Sequence, residues 1–327
     1  MTRFPFRPAL LAVTLVLLAG GAAPLPLDAQ IPGGLRRAAP RAAGALPDPT
    51  ALLRGDPPIT TNLGDAVWGV DSMDAFAPAE FTDLGTLERT PSGGFTLRAG
   101  AFEMHTQSYC LKAGTHGPNP EDRGDGYLYA PTRGPADDQV LAIVRNSVRH
   151  PDIPQRKVQV LLWAIIARAK FEDLQMDLKE TAARLLTPAQ ILTLNRSALE
   201  IAQPVLERAM ANAPPLVRQA LEAEAALRRT LTSGAGTFED VERLAVLTGL
   251  APRGAGSRDV PSGRWSLHPD GYYVRYLPHG YSYTVTQIWV PKESSAIGRE
   301  YDPATHIATP GNTARQRLIQ AGRVRQH

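Results

Sequence analysis

The sequence predicts an α+β protein whose helical middle is flanked by an N-terminal strand/loop portion and by a C-terminal β-hairpin or small meander. Three observations predict this class. Residues 95–111 (FTLRAGAFEMHTQSYCL) alternate weakly between apolar and polar, as strands do. Residues 137–245 repeat apolar positions at helical spacing, and residues 264–291 return to an aromatic and β-branched composition.

Composition limits the classes of function. Of the 327 residues, 43% are hydrophobic and 20% are charged, as in an ordinary folded protein. The net charge is only +3, and the basic residues do not form the cluster that nucleic-acid binding needs, so no nucleic-acid partner is predicted. The seven histidines lack the spacing of a zinc site, and no nucleotide-binding motif occurs. The sequence therefore predicts neither a metal nor a cofactor.

The first 29 residues have the pattern of a secretion signal. Arg3 and Arg7 precede the apolar run ALLAVTLVLLAGGAA, which is too short to span a bilayer. Cleavage after Ala23 or Ala29 fits the small residues there, and an uncleaved anchor helix is the alternative. We therefore expect an exported protein, periplasmic, cell-surface or secreted, with no integral membrane segment after cleavage.

The rest of the chain divides by composition. Residues 30–60 are rich in Pro, Gly, Ala and Arg without periodicity, which predicts a disordered linker. Residues 61–250 predict the main α+β domain, which includes a helix capped by Thr237. Residues 251–292 predict a β-hairpin element packed on that domain, and the polar residues 293–327 predict a mobile tail.

One polar residue interrupts the apolar run VQVLLWAIIA at 158–167. Gln159 lies one turn into a predicted helix, and an unpartnered amide in an apolar setting costs a few kcal/mol. The simplest interpretation is that Gln159 binds a neighbouring loop carbonyl inside the core. The single cysteine, Cys110, suggests a second interpretation, because an exported chain with one cysteine has no internal disulfide and a lone thiol there is unusual.

A thiol held against a primary amide in a dry pocket can attack the amide carbon and expel ammonia. The product joins the Cys110 sulfur to the Gln159 acyl group as an internal thioester. Tyr109 and Trp163, one aromatic residue near each partner, are predicted to shield that bond from water. A thioester is an activated acyl group, so an arriving amine would be acylated by it.

The order of these residues resembles the thioester domains of bacterial surface adhesins. The resemblance covers roughly residues 109–166 and rests on these stretches: Tyr109-Cys110-Leu111, Gly114 and Pro118, Gly126-Tyr127, the helix with Val140, Val144 and Asn146, and Val158-Gln159-Val160-Leu161-Leu162-Trp163. It implies a surface attachment protein that binds amines of a protein or polymer partner covalently, in a single turnover rather than by catalysis.

Two other functions stay open. The chain can be a non-covalent structural or interaction module of the cell envelope in which Cys110 and Gln159 are core packing. It can also be a cysteine-dependent hydrolase or acyltransferase, for which His105, and on the other side of the cysteine His116, are the candidate bases.

Overall fold

The computed structural model describes residues 57–69, 71–119, 126–197, 207, 210–211 and 213–324. The predicted signal peptide and the predicted linker up to residue 56 lie outside the described residues. Residues 57–60, the end of that linker, are part of the fold: Ile59 is buried, and the main chain of Thr60 pairs with that of Arg133.

A closed antiparallel barrel of six strands organises the described residues. Its strands follow one another around the barrel in the order β3, β12, β11, β5, β8 and β9, and β9 pairs again with β3. Their bounds are Gly100–Cys110 (β3), Tyr127–Pro131 (β5), Tyr273–Pro278 (β8), Tyr283–Val290 (β9), His306–Pro310 (β11) and Leu318–Val324 (β12).

Six short strands complete the β structure of the described residues. Two of them extend the barrel sheet: β1 (Thr82–Asp83) pairs parallel with β3, and β7 (Ser266–Leu267) pairs with β8. The other four form two small ribbons, β2 (Phe95–Thr96) with β10 (Glu300–Tyr301) and β4 (Thr115–His116) with β6 (Val246–Leu247).

Six helices lie within the described residues. They are α1 (Asp137–Ser147), α2 (Gln155–Ile166), α3 (Met176–Leu185), α4 (Pro188–Ser197), α5 (Pro215–Ser233) and α6 (Phe238–Ala245). Thr237 caps α6 as predicted: its hydroxyl accepts from the Asp240 amide, and the Asp240 carboxylate accepts from the Thr237 amide. None of these helices is both long and apolar enough to cross a membrane.

The predicted fold class is wrong, because the strands are not small parts beside a helical middle but close into a barrel. The stretch 293–327, for which the sequence predicts a mobile tail, supplies β10, β11 and β12. The predicted hairpin exists as β8 and β9, but both strands belong to the barrel.

The residues that face the inside of the barrel are partly polar, so their pattern in the sequence does not predict a barrel. Along β3, apolar Phe102 and Met104 point into the barrel core, and Thr106 and Ser108 continue on the same face. The hydroxyl of Thr106 donates to Thr284 O (2.9 Å), and that of Thr284 donates to Ser108 Oγ (3.0 Å). Polar residues that satisfy one another inside a barrel give the sequence no apolar stripe.

Two core regions position the remaining elements. One is the barrel interior, and the other lies between the helices and the outer face of β3, β11 and β12, where Tyr109, Ile307 and Ile319 contact the helical layer. Helix α2 packs on β3, and α1 packs on β12. The helical layer therefore covers the two strands that carry the candidate site.

A buried histidine belongs to the barrel core. Both ring nitrogens of His306 contact tyrosine hydroxyls, Nε2 that of Tyr272 (2.9 Å) and Nδ1 that of Tyr276 (3.2 Å). The His268 ring stacks on it with the ring centroids 4.8 Å apart. Burial, reinforced by His268, holds the pKa of His306 well below its usual value, so the ring is neutral.

We expect this histidine to make stability fall in acid. Below about pH 6.5 the unfolded chain binds a proton at residue 306 that the folded chain does not, so the free energy of unfolding falls by up to about 1.4 kcal/mol per pH unit from this group. Urea unfolding between neutral and mildly acidic pH measures the slope. His306→Gln should have a smaller slope, and His279→Gln, at an exposed position, controls for histidine loss. An unchanged slope in His306→Gln would contradict this assignment.

Candidate functional site

The pairing of β3 with β12 builds the site. Cys110, the last residue of β3, is in register with Leu318, the first residue of β12. The ladder continues one step further, where the Leu111 amide donates to Arg317 O (2.8 Å). This register brings Gln316 beside Cys110, although the two are 206 residues apart in the chain.

Gln159 binds the main chain of Cys110 rather than its thiol. Its Oε1 accepts from the Cys110 amide (2.8 Å), and its Nε2 donates to the Cys110 carbonyl (3.0 Å). The side chain is only 2% exposed. The amide therefore satisfies the main-chain N–H and C=O of the buried residue Cys110 and fixes the end of β3 against α2.

The thiol of Cys110 is completely buried and contacts Gln316. Its Sγ donates to the side-chain carbonyl Oε1 of Gln316, and it also lies 3.1 Å from Lys112 O. Cys110 is 0% exposed. Burial raises the thiol pKa to about 12, an effect that the indole N–H of Trp163 opposes only in part. The group is therefore a neutral hydrogen-bond donor at physiological pH.

The Gln316 amide is held in one orientation. Its Nε2 donates to Thr115 O (2.8 Å) and to Ala245 O (3.0 Å), so both N–H groups have acceptors and the carbonyl faces the sulfur. Gln316 is 0% exposed. Gly114, at φ 66°, lets the loop after Cys110 lie against α5, where a Cβ would come within 2.6 Å of the Ala223 side chain. That loop carries the Thr115 carbonyl.

Only one of the two aromatic residues predicted to shield the site lies beside the thiol. Trp163 is fully buried there, and its ring packs with Phe238 (centroids 6.1 Å apart) and Tyr281 (5.9 Å). Tyr109 points to the opposite face of β3, where its hydroxyl lies by Gln107. The half-buried Tyr281, whose hydroxyl donates to the Glu242 carboxylate, packs against Trp163 from the other side of the chain.

His105 is not brought to the thiol. It lies five residues before Cys110 on β3, which places it roughly 16 Å away along the strand and on the other face. Its ring contacts the hydroxyl of Tyr283 and, through Nε2, the Glu103 carboxylate at 3.1 Å. The described residues contain no group of three or more His, Cys, Asp or Glu that could hold a metal ion.

Sequence reasoning missed Gln316. The residue lies in the stretch predicted as a mobile tail, with arginines on both sides. The one signal that points to order there is LIQAGRV, a short run with apolar residues at 318, 319 and 321 that forms β12.

What the arrangement allows chemically is transfer of the Gln316 acyl group to the sulfur it touches.

We expect Gln159 to be needed for stability. Gln159→Leu keeps the apolar bulk but leaves a buried N–H and a buried C=O unpaired, which should lower the free energy of unfolding by roughly 2–6 kcal/mol. Urea denaturation measures this loss. Gln155→Leu is the matched control on the same helix: its amide donates to Ser108 O and Ser282 O at a half-buried position where water can replace it. Equal losses in the two variants would contradict the role given to Gln159.

Comparisons of the chain with protein-family models, with curated proteins and with solved structures find no match. The chemistry of the site therefore rests on its own residues.

Proposed function

We propose that this chain is a covalent attachment protein in which Cys110 and Gln316 form an internal thioester that acylates an amine of a partner. The observation that carries this proposal is the contact between the thiol of the chain's one cysteine and the carbonyl of a fully buried primary amide. The earlier expectation of a thioester between Cys110 and Gln159 stays a prediction, and the contacts favour Gln316 as the acyl donor.

The thiol and the amide of the site supply all the atoms needed to form the thioester and release ammonia. The thiol proton passes to the amide, sulfur bonds to the Gln316 side-chain carbon, and the C–N bond breaks to release ammonia. The carbonyls of Thr115 and Ala245 bind the departing nitrogen in the starting state. Because the thiol donates to Oε1, it polarises the carbonyl that the sulfur attacks.

Gln159 then has a positioning role. Both atoms of its amide are committed to the Cys110 main chain, which leaves the thiol free to face Gln316. The buried surroundings of Trp163 and Tyr281 exclude water that would hydrolyse the product.

Capture of a partner amine transfers the Gln316 acyl group from the sulfur to the amine nitrogen. The amine nitrogen bonds to the Gln316 acyl carbon, the carbon–sulfur bond breaks, and the proton lost by the amine ends on the sulfur. The high pKa of the Cys110 thiol keeps the released sulfur protonated, and the amide is the stable product because it is a much less activated acyl group than a thioester.

The two alternatives receive less support. A multiple-turnover hydrolase needs a base that activates its thiol in every cycle, and Sγ instead contacts a main-chain carbonyl and an amide carbonyl, whereas thioester formation passes the thiol proton only once, to the departing amide nitrogen. A non-covalent envelope module needs no thioester, so absence of the bond would favour this second function. The N-terminal pattern of residues 1–29 supports export in either case, so the partners we propose are amines of a protein or polymer outside the cytoplasm.

Intact mass of the natively purified chain tests the proposal. We expect the mature protein to be lighter than its sequence by one ammonia, and Cys110→Ala and Gln316→Glu to have full mass. Methylamine should add once to the wild type and give a mass one CH2 group above that of the sequence, because CH3NH2 takes the place of the lost NH3, and peptide mapping should locate this adduct at Gln316.

Two results would count against the proposal. A full-mass wild type with a thiol that alkylates once the chain is unfolded would exclude the thioester and favour the non-covalent module. A methylamine adduct at Gln159 would keep the thioester but move it to the pair that the sequence predicts. Because location of the adduct uses the wild type, neither result depends on whether a variant folds.

A further inference from the structure

The indole N–H of Trp163 is a buried donor without a hydrogen-bond partner. The side chain is fully buried, and its Nε1 has no acceptor among the residues that the structure describes. Buried side-chain N–H groups are nearly always paired, because an unpaired one loses its hydrogen bond to water and gains nothing in exchange. A donor left unpaired at this position therefore needs a reason beyond the packing of its ring.

Helix α2 places this N–H beside the Cys110 sulfur. Gln159 binds the main-chain N–H and C=O of Cys110, and Trp163 lies about one helical turn further along the same face of α2. The neutral thiol gives the indole no well-formed hydrogen bond. The charged sulfur does: a hydrogen bond from the indole to the thiolate lowers the thiol pKa against the larger effect of burial.

The polar groups at the sulfur differ in which state of the thiol they favour. Lys112 O, which lies 3.1 Å from Sγ, and Gln316 Oε1 are acceptors, so they suit a thiol that still carries its proton. The indole N–H of Trp163 and the main-chain N–H of Lys112 are donors, and both lower the thiol pKa, Trp163 the more. The surroundings of the sulfur therefore contain partners for its neutral form and for its charged form.

We propose that Trp163 is a catalytic residue of the reactive pair, whose indole N–H binds the Cys110 sulfur while that atom carries negative charge. The inference rests on the proposed function, because it assigns a further residue to the same thioester. Charge develops on the sulfur when it attacks the Gln316 carbon, and again when an amine displaces it and the electron pair of the C–S bond passes to the sulfur. The donor stabilises this charge until the proton lost by the amine reaches the sulfur, as preorganised donors do for oxyanions.

A shielding role and a donor role of Trp163 predict opposite effects when the N–H is removed. If the ring only excludes water, a smaller ring in its place opens a gap, and capture of an amine becomes faster or stays unchanged. If the N–H binds the charged sulfur, capture becomes slower although the site is more open. The direction of the change in rate therefore separates the two roles.

The rate of methylamine uptake, followed by intact mass on the native chain, tests this role. For Trp163→Phe we expect uptake to be slower by about 10- to 100-fold, the factor that one hydrogen bond to a charged group supplies. Phe238→Leu is the matched control, because Phe238 packs on the Trp163 ring with the centroids 6.1 Å apart, and its loss loosens this packing while the N–H remains. Uptake by this control should stay close to the wild-type rate.

A second variant makes the test independent of how well Trp163→Phe folds. Replacement of Trp163 by benzothienylalanine, through genetic-code expansion, keeps the shape of the indole and puts a sulfur in place of the N–H. This variant should take up methylamine as slowly as Trp163→Phe, or keep its full mass because the bond no longer forms. Uptake at the wild-type rate would overturn the role of Trp163 and leave the thioester standing. A wild type of full mass would instead refute the proposed function, and this inference with it.

Discussion

The structure depends on β3 pairing with two different strands. Along residues 100–107 it pairs with β9, and along 106–110 it pairs with β12, so this one strand closes the barrel. The second pairing joins a strand from the first third of the chain to the last described strand. The contact between Cys110 and Gln316 follows from that closure, because the register of β12 sets which residue faces the thiol.

Two buried glutamines have different roles around the same cysteine. A buried amide is tolerated only when its donors and acceptor are used, and both residues meet that condition. Gln159 uses its amide on the Cys110 main chain, and Gln316 uses its N–H groups on two carbonyls and its oxygen on the thiol. The first arrangement fixes the strand end, and the second places the amide oxygen of Gln316 against the Cys110 sulfur. That difference, rather than the presence of either glutamine, identifies the candidate reactive pair.

Burial disfavours the charged form both of the Cys110 thiol and of Lys112 and Glu224 in the neighbouring cleft between α5 and the loop after Cys110. At Cys110 it raises the thiol pKa to about 12, so the thiol is neutral at physiological pH. In the cleft at Lys112 and Glu224 it brings a lysine and a carboxyl group to pKa values near 7, so their charge responds to modest changes in pH. The short loop from Cys110 to Thr115 takes part in both, with its carbonyls at one site and its side chains at the other.

The sequence by itself determined the local features of this protein. The cap at Thr237, the amphipathic helices and the apolar helix face on which Gln159 lies each depend on residues within a few positions, which a linear pattern records. It also singled out Cys110 and Trp163, which the structure places side by side. Only the tertiary structure decided that the strands close into a barrel, that His105 and Tyr109 face away from the thiol, and that Gln316 faces it. The physical reason is that barrel closure is set by pairing between distant strands, and the polar residues inside this barrel, such as Thr106 and Thr284, give no apolar pattern from which that pairing could be predicted.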